Sequence, residues 1–125
     1  MRAILPKLTL AAALWLLVLA NGCGPIRATS ATSGAKDHLF KAELAGADKL
    51  TQGEKYITPA QYEYQLAMLY IEKSKELQGF AKYDAAFFYS TEAADLGKKA
   101  VEHKSEEERR KIRRQQIRAG KVFKQ

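Results

Sequence analysis

A single cysteine, Cys23, occurs in the 125 residues, so no intramolecular disulfide can form and zinc sites built from paired cysteines are excluded. Histidine is nearly absent: His38 and His103 lie far apart in sequence, outside any His-Glu-x-x-His spacing, and neither is a candidate metal ligand or catalytic base. No nucleophile elbow, phosphate loop or dinucleotide fingerprint is present. Asp84, Glu92 and Asp95 fall on the expected polar face of a helix, where solvation is the default role. The expectation is a protein that is not an enzyme and takes no cofactor. Proline is scarce as well, with three residues, while alanine, lysine, glutamate and leucine dominate; that composition favours helices and leaves no significant strand expected.

Charge of one sign is lacking from the tail but not from the middle. Residues 36–97 hold seven lysines against ten carboxylates, a net −3, whereas residues 98–125 hold eleven basic residues against four acidic ones, a net +7. The formal charge of +7 for the chain therefore belongs to its C-terminal end.

Long hydrophobic runs are also missing. The longest, Leu8 to Ala20, spans only about 20 Å as a helix, short of the ~30 Å hydrocarbon core of a bilayer. It is preceded by Arg2 and Lys7 and followed by small residues, the three-part layout of a secretory signal. At its end, Leu19-Ala20-Asn21-Gly22-Cys23 resembles the lipobox of bacterial lipoproteins, with Ala20 where leucine is usual. The resemblance implies that residues 1–22 are removed and that Cys23 is lipidated and becomes the mature N-terminus. Two or three acyl chains anchor a protein far more firmly than one. In a Gram-negative envelope, Gly24 in place of the aspartate that retains lipoproteins in the inner membrane implies the periplasmic face of the outer membrane. The alternative is ordinary cleavage after Gly22, which leaves a free thiol. Residues 23–35 then read as the lipidated cysteine and a flexible tether, since Gly24 to Ala35 is small, polar and without an evident pattern.

The domain proper is expected at 36–104, with a basic C-terminal helix or tail at 105–125. A first amphipathic helix begins near Lys36, with Leu39, Phe40, Leu44, Ala47 and Leu50 on one arc, and Thr51 to Ile57 forms its exit loop. A second starts at Pro59: Thr58 is the N-cap, Gln61 closes a capping box, and Ile57 and Tyr62 are spaced for a hydrophobic staple. Its apolar faces read as Tyr62, Leu66, Leu69, Tyr70 and Leu77 on one side, with Tyr64, Ala67 and Ile71 on another. Gln78-Gly79 offers a left-handed cap. A third helix begins near Lys82 or Tyr83, with Tyr83, Ala86, Phe87, Ser90, Ala93, Ala94, Gly97 and Val101 on its packing face. Small residues there predict close helix approach. The fold class expected is all-α: a small antiparallel helical hairpin or three-helix bundle, plus a charged C-terminal helix.

Residues 62–100 are similar to the helical hairpin of short lipoproteins in the DUF 4398 family, a domain of unknown function. The matching residues are Pro59-Ala60-Gln61-Tyr62-Glu63-Tyr64, Tyr70-Ile71-Glu72-Lys73-Ser74, Gly79-Phe80 and Tyr83-Asp84-Ala85-Ala86. They cover about a third of the chain, with Ser74 where alanine is usual. The hairpin is also tetratricopeptide-like, but no second copy is present, so it must be completed by the first helix, by self-association or by a partner.

Ser105-Glu106-Glu107-Glu108 reads as a second capping box opening a tail helix, separate from or continuous with the preceding one. Arg109, Arg110, Arg113 and Arg114 are the candidate contact for an anionic polymer: peptidoglycan, lipopolysaccharide or anionic lipid. Nucleic acid is not expected outside the cytoplasm. The plain alternative is a solvated helix with Glu106–Arg110 and Glu107–Lys111 pairs. Tyr64 and Phe88 are the candidate partner-binding aromatics. The functional expectation is a lipid-anchored envelope scaffold or accessory subunit, the alternative being direct binding of peptidoglycan or anionic lipid by the basic helix.

Overall fold

In a computed structural model the described residues form three helices: α1 (Leu5–Leu44), α2 (Pro59–Gly79) and α3 (Tyr83–Arg118). The structure describes the backbone of residues 5–49 and 56–120, and the side chains of 23–49 and 56–120. Among the described residues there is no strand. The arrangement is a three-helix bundle with α1 completing the α2–α3 hairpin, and contacts across it set the directions. Thr32 of α1 meets Ser74 of α2 and Ser90 of α3, and Ala35 packs with Ile71 and Ala93. Ala42 packs with Ala100 and Tyr64. Moving along α1, the partners rise in α3 and fall in α2, so α1 and α3 run parallel and α2 runs antiparallel to both.

What packs is a set of small-residue stripes. Buried residues recur at alternating steps of four and three: Ala86, Ser90, Ala93, Gly97 and Ala100 on α3. On α1 the same steps pass through Ala28, Thr32, Ala35 and Ala42, with half-buried Leu39 between the last two. On α2 they pass through Ala60, Ala67, Ile71 and Ser74, with half-buried Tyr64 between the first two. This is a heptad seam built from alanine instead of leucine. Each alanine buries little area, at about 0.8 kcal/mol per methylene-sized group, but it sacrifices no side-chain entropy and lets the backbones come close. The closeness shows at Gly97: a Cβ there would lie 3.1 Å from His38 Cβ and 3.2 Å from the His38 carbonyl carbon.

Several expectations are corrected. Gly24 to Ala35 is not a tether; it is helical, and Ala28, Thr32 and Ala35 carry the α1 stripe. Glycine, serine and threonine disfavour a helix intrinsically, but packing between two other helices overrides that preference. Phe40 and Leu44 are exposed, and Ala42 and Ala47 occupy the core. Leu50 and the segment 51–55 lie outside the described residues. Tyr62 and Leu69 are likewise exposed on α2. These bulky side chains are turned outward because so narrow a seam has room for few of them, Ile71, Leu39 and Tyr64 being those it takes.

The helix ends follow local chemistry. Thr58 is extended and its Oγ1 accepts from the Gln61 amide at 3.3 Å, the N-cap expected, while the Gln61 side chain does not complete a capping box: its Oε1 is buried without a hydrogen-bond partner. The left-handed residue after α2 is Ala81, with φ of 55°, and Gly79 stays helical. Ala81 N–H donates to Gln78 O at 3.0 Å and Lys82 N–H to Leu77 O at 2.9 Å, a complete Schellman motif. Gly46, at φ of 80°, closes α1 in the same way. Ser105 starts no new helix: α3 runs through it, and its hydroxyl donates back to Glu102 O at 2.7 Å.

Candidate functional site

The register separates the bundle into two chemically different ends. Cys23 is exposed near one of them, beside Gly24, whose missing Cβ faces the Tyr83 ring at 3.4 Å. Parallel α1 and α3 therefore carry Cys23 at the start of α3 and leave Arg109 to Arg114 at its far end. At 1.5 Å per residue that is a separation of about 40 to 50 Å.

At the far end α3 outruns its neighbours, since α1 closes opposite Lys104 and α2 begins opposite His103 to Arg110. The overhang meets the segment entering α2, and Tyr56, Ile57, Thr58 and Pro59 form with Glu107, Arg110, Lys111 and Arg114 an open groove of ≈ 330 Å³. A second depression, of ≈ 260 Å³, lies among Glu106, Arg109, Arg110 and Arg113. The four arginines thus divide between two concave surfaces that share Arg110. Three ion pairs run along this end of the helix: Arg110–Glu106 at 3.5 Å, Lys111–Glu108 at 3.5 Å and Lys104–Glu107 at 3.8 Å. The first was expected; Lys111 takes Glu108 rather than Glu107. Among the described residues, Arg109, Arg113 and Arg114 have no carboxylate within 4.0 Å. The Arg110–Glu106 pair is exposed and such pairs are weak, so the guanidinium groups remain open to bidentate binding of carboxylate or phosphate.

Beneath the groove is a polar cap that sequence patterning did not reveal. Glu63 Oε2 of α2 lies 3.0 Å from His103 Nδ1 of α3 with no hydrogen bond between them, and among the described residues Glu107 and Asp48 each keep one buried carboxylate oxygen without a hydrogen-bond partner. The overhang of α3 and the start of α2, which bring Pro59 beside His103 and Glu107, are not legible from periodicity. Tyr64 borders this region. It packs on the Ala42, Ala47, Ala60 and Ala100 cluster, and its phenol is pushed above the ordinary tyrosine value by burial, then by the negative charges of Glu43 and Asp48.

Tyr64 and Phe88 do not share a surface. Tyr64 lies at the level of Ala100, twelve residues along α3 from Phe88, or about 18 Å. Phe88 is 57 % exposed and makes an edge-to-face contact with Tyr89, at 5.6 Å between centroids. At the Cys23 end, Arg27 stands 3.8 Å over the Phe87 ring, a cation–π contact that ties α1 to α3. Asp95 is held below the ordinary carboxylate range by its 2.9 Å hydrogen bond from Lys98 and then by the Lys98 charge, as a solvated-face residue would be.

Among the described residues, no helix is long and apolar enough to cross a membrane, and no group of three His, Cys, Asp or Glu side chains is placed to hold a metal ion. In comparisons with known proteins, no family model, curated protein or solved structure matches the chain.

Proposed function

We propose that this chain is a non-catalytic, lipid-anchored protein of the bacterial envelope, whose bundle stands on the membrane at Cys23 and presents its basic end to an anionic cell-wall polymer. One observation carries the reading: the lipobox-like cysteine and the arginine grooves lie at opposite ends of the three-helix bundle, about 40 Å or more apart. A basic stripe meant for the lipid surface that holds the anchor would lie beside Cys23. At this distance it reaches a target away from the membrane, and a carboxylate-bearing polymer such as peptidoglycan fits the paired guanidinium groups and the exposed Tyr56 ring of the groove. Pro25 fits the cleaved form. In a helix that starts at Cys23 it falls in the first turn, where its missing N–H is not required.

The scaffold reading keeps a narrower basis. The hairpin needs no partner to complete it, because α1 does so; the remaining docking candidate is the outer face of α3 around Phe88. The test is co-sedimentation of the mature lipidated chain with purified peptidoglycan across a salt series. Binding that weakens with salt, and is lost when Arg109, Arg110, Arg113 and Arg114 are changed to glutamine, supports the polymer reading. Unchanged binding in that variant sinks it. Envelope-protein capture abolished by Phe88→Ser would favour the scaffold.

A further inference from the structure

The Cys23 end of the bundle carries exposed apolar side chains that the core does not use. The pairings Thr32–Ser74 and Ala35–Ile71 place Phe80, in the α2–α3 turn, level with Ile26 on α1. Phe80 is 67 % exposed and Ile26 72 % exposed, and Ile26 borders a shallow, almost wholly apolar depression with Pro25. Turn positions favour small or polar residues, and an aromatic ring two-thirds exposed at the tip of a tight turn gives up most of the burial that would stabilise the bundle. Exposed Arg27 and Lys82 belong to the same tip, with Asp84 the one carboxylate of its α3 start. The tip is continuous with the membrane-directed part of the chain: α1 continues backward from Ile26 through Cys23 toward the apolar run Leu8 to Ala20.

We propose that this tip is a second, non-covalent membrane contact, in which Phe80 and Ile26 enter the boundary between headgroups and acyl chains while Arg27 and Lys82 lie at the headgroup phosphates. The inference rests on the lipid-anchored reading and deepens it. A diacylated cysteine on its own leaves a domain free to tumble about its anchor. An apolar ring and an apolar aliphatic side chain on different segments of the same tip fix the bundle axis away from the membrane plane, and it is that orientation which carries the basic grooves outward.

The chain offers a clean probe, because its one tryptophan, Trp15, lies in the leader and is absent after cleavage. The experiment uses the mature lipidated protein carrying Phe80→Trp, reconstituted in vesicles of phosphatidylethanolamine and phosphatidylglycerol, with and without phosphatidylcholine brominated on its acyl chains. Ile57→Trp, at the opposite end, is the control. The expected result is a blue-shifted Phe80→Trp emission quenched by the brominated lipid, with Ile57→Trp unshifted and unquenched. Vesicle-bound protein with an intact lipid mass but an unquenched Phe80→Trp overturns the inference and leaves the anchor standing. Quenching of both probes alike also overturns it, since the bundle then lies flat. A blue shift that needs high protein density and ignores the brominated lipid assigns the tip to a second copy and overturns it too. A chain without a lipid mass increment removes the anchor and the inference together.

Discussion

Ser74 and Ser90 face each other across the α2–α3 hairpin with 2.7 Å between their hydroxyl oxygens, and Thr32 of α1 closes the layer at 3.1 Å and 2.7 Å from them. All three are buried, and Ser74 and Ser90 are the largest fully buried side chains in the described bundle. The protons can all be placed: Thr32 donates to Ala28 O, Ser74 donates to Ala86 O, Ser90 donates to one of its two neighbours, and the Gln78 amide donates to Thr32. Alanine stripes repeating every heptad would fit nearly as well after a one-heptad slip. The hydroxyl layer fits only in one register, which is the best-attested use of a buried polar group in a coiled coil.

The expected behaviour follows from that satisfaction. Ser90→Ala leaves Thr32 and Ser74 with their carbonyl acceptors and orphans nothing, so it costs only about 1 kcal/mol in urea unfolding. Ser90→Val forces a branched side chain into the seam and costs more, roughly 1–3 kcal/mol. Replacing Thr32, Ser74 and Ser90 together by alanine retains helicity but broadens the amide spectrum as registers exchange. A triple variant with a single sharp set of resonances would remove the register role.

Two glycines predict opposite outcomes for one substitution. Gly97→Ala adds a Cβ 3.1 to 3.3 Å from His38 and the Leu39 backbone nitrogen, contacts that α1 can relieve only by moving away. Net destabilisation of about 1–2 kcal/mol is expected, despite the better helix propensity of alanine. Gly34, also helical, has nothing within 4 Å of its Cβ position, and Gly34→Ala should stabilise by up to about 1 kcal/mol. Thermal melts of the two variants side by side test the pair; equal shifts would contradict the close approach at Gly97.

The turn between α2 and α3 is wired against intrinsic preference. Ala81 holds the left-handed position of the Schellman motif, where an L-residue is strained by roughly 1 kcal/mol, while the permissive residue sits two places earlier in an ordinary helical conformation. Ala81→Gly is expected to stabilise by about 0.5–1 kcal/mol, and Gly79→Ala, with open space around it, by a similar amount. A raised urea midpoint in the double variant, at unchanged slope, checks both.

How much of this was readable beforehand depended on which residues carried the signal. The Thr58-Pro59 start and the α3 packing face from Ala86 to Gly97 were legible, because a cap and a small-residue stripe act locally. On α2 the face of Tyr64, Ala67 and Ile71 lies on the seam as its spacing predicts, whereas arcs weighted by bulk mislead at Phe40, Leu44, Tyr62 and Leu69, because the seam is built mainly from small side chains. For the same reason Ala28, Thr32 and Ala35 looked like tether composition, although they keep the four-three spacing. The arginine cluster was visible, but its distance from Cys23 and its groove with Tyr56 and Ile57 depend on helix direction and on the α3 overhang, which periodicity does not encode.

Tyr64 supplies a pH prediction whose sign is fixed by its raised phenol. An unfolded tyrosine releases its proton near 10.0, while the folded chain, with the ring against the core and Glu43 and Asp48 nearby, holds it to higher pH. Below that value both states are protonated and the contribution of Tyr64 is fully present. As pH rises from there through the folded value, the native state binds more protons than the unfolded one, and stability falls. Tyr64→Phe removes this component. In urea unfolding from pH 8 to 11 (a span bracketing tyrosine's usual value of about 10), the gap between the wild-type chain and the variant should be constant at the neutral end and then drift in the variant's favour. Lysine titration bends both curves equally and leaves the difference intact. Curves that remain parallel to pH 11, about a unit above the ordinary tyrosine value, would mean that the Tyr64 hydroxyl is solvated in the folded chain rather than pressed between the core and two carboxylates.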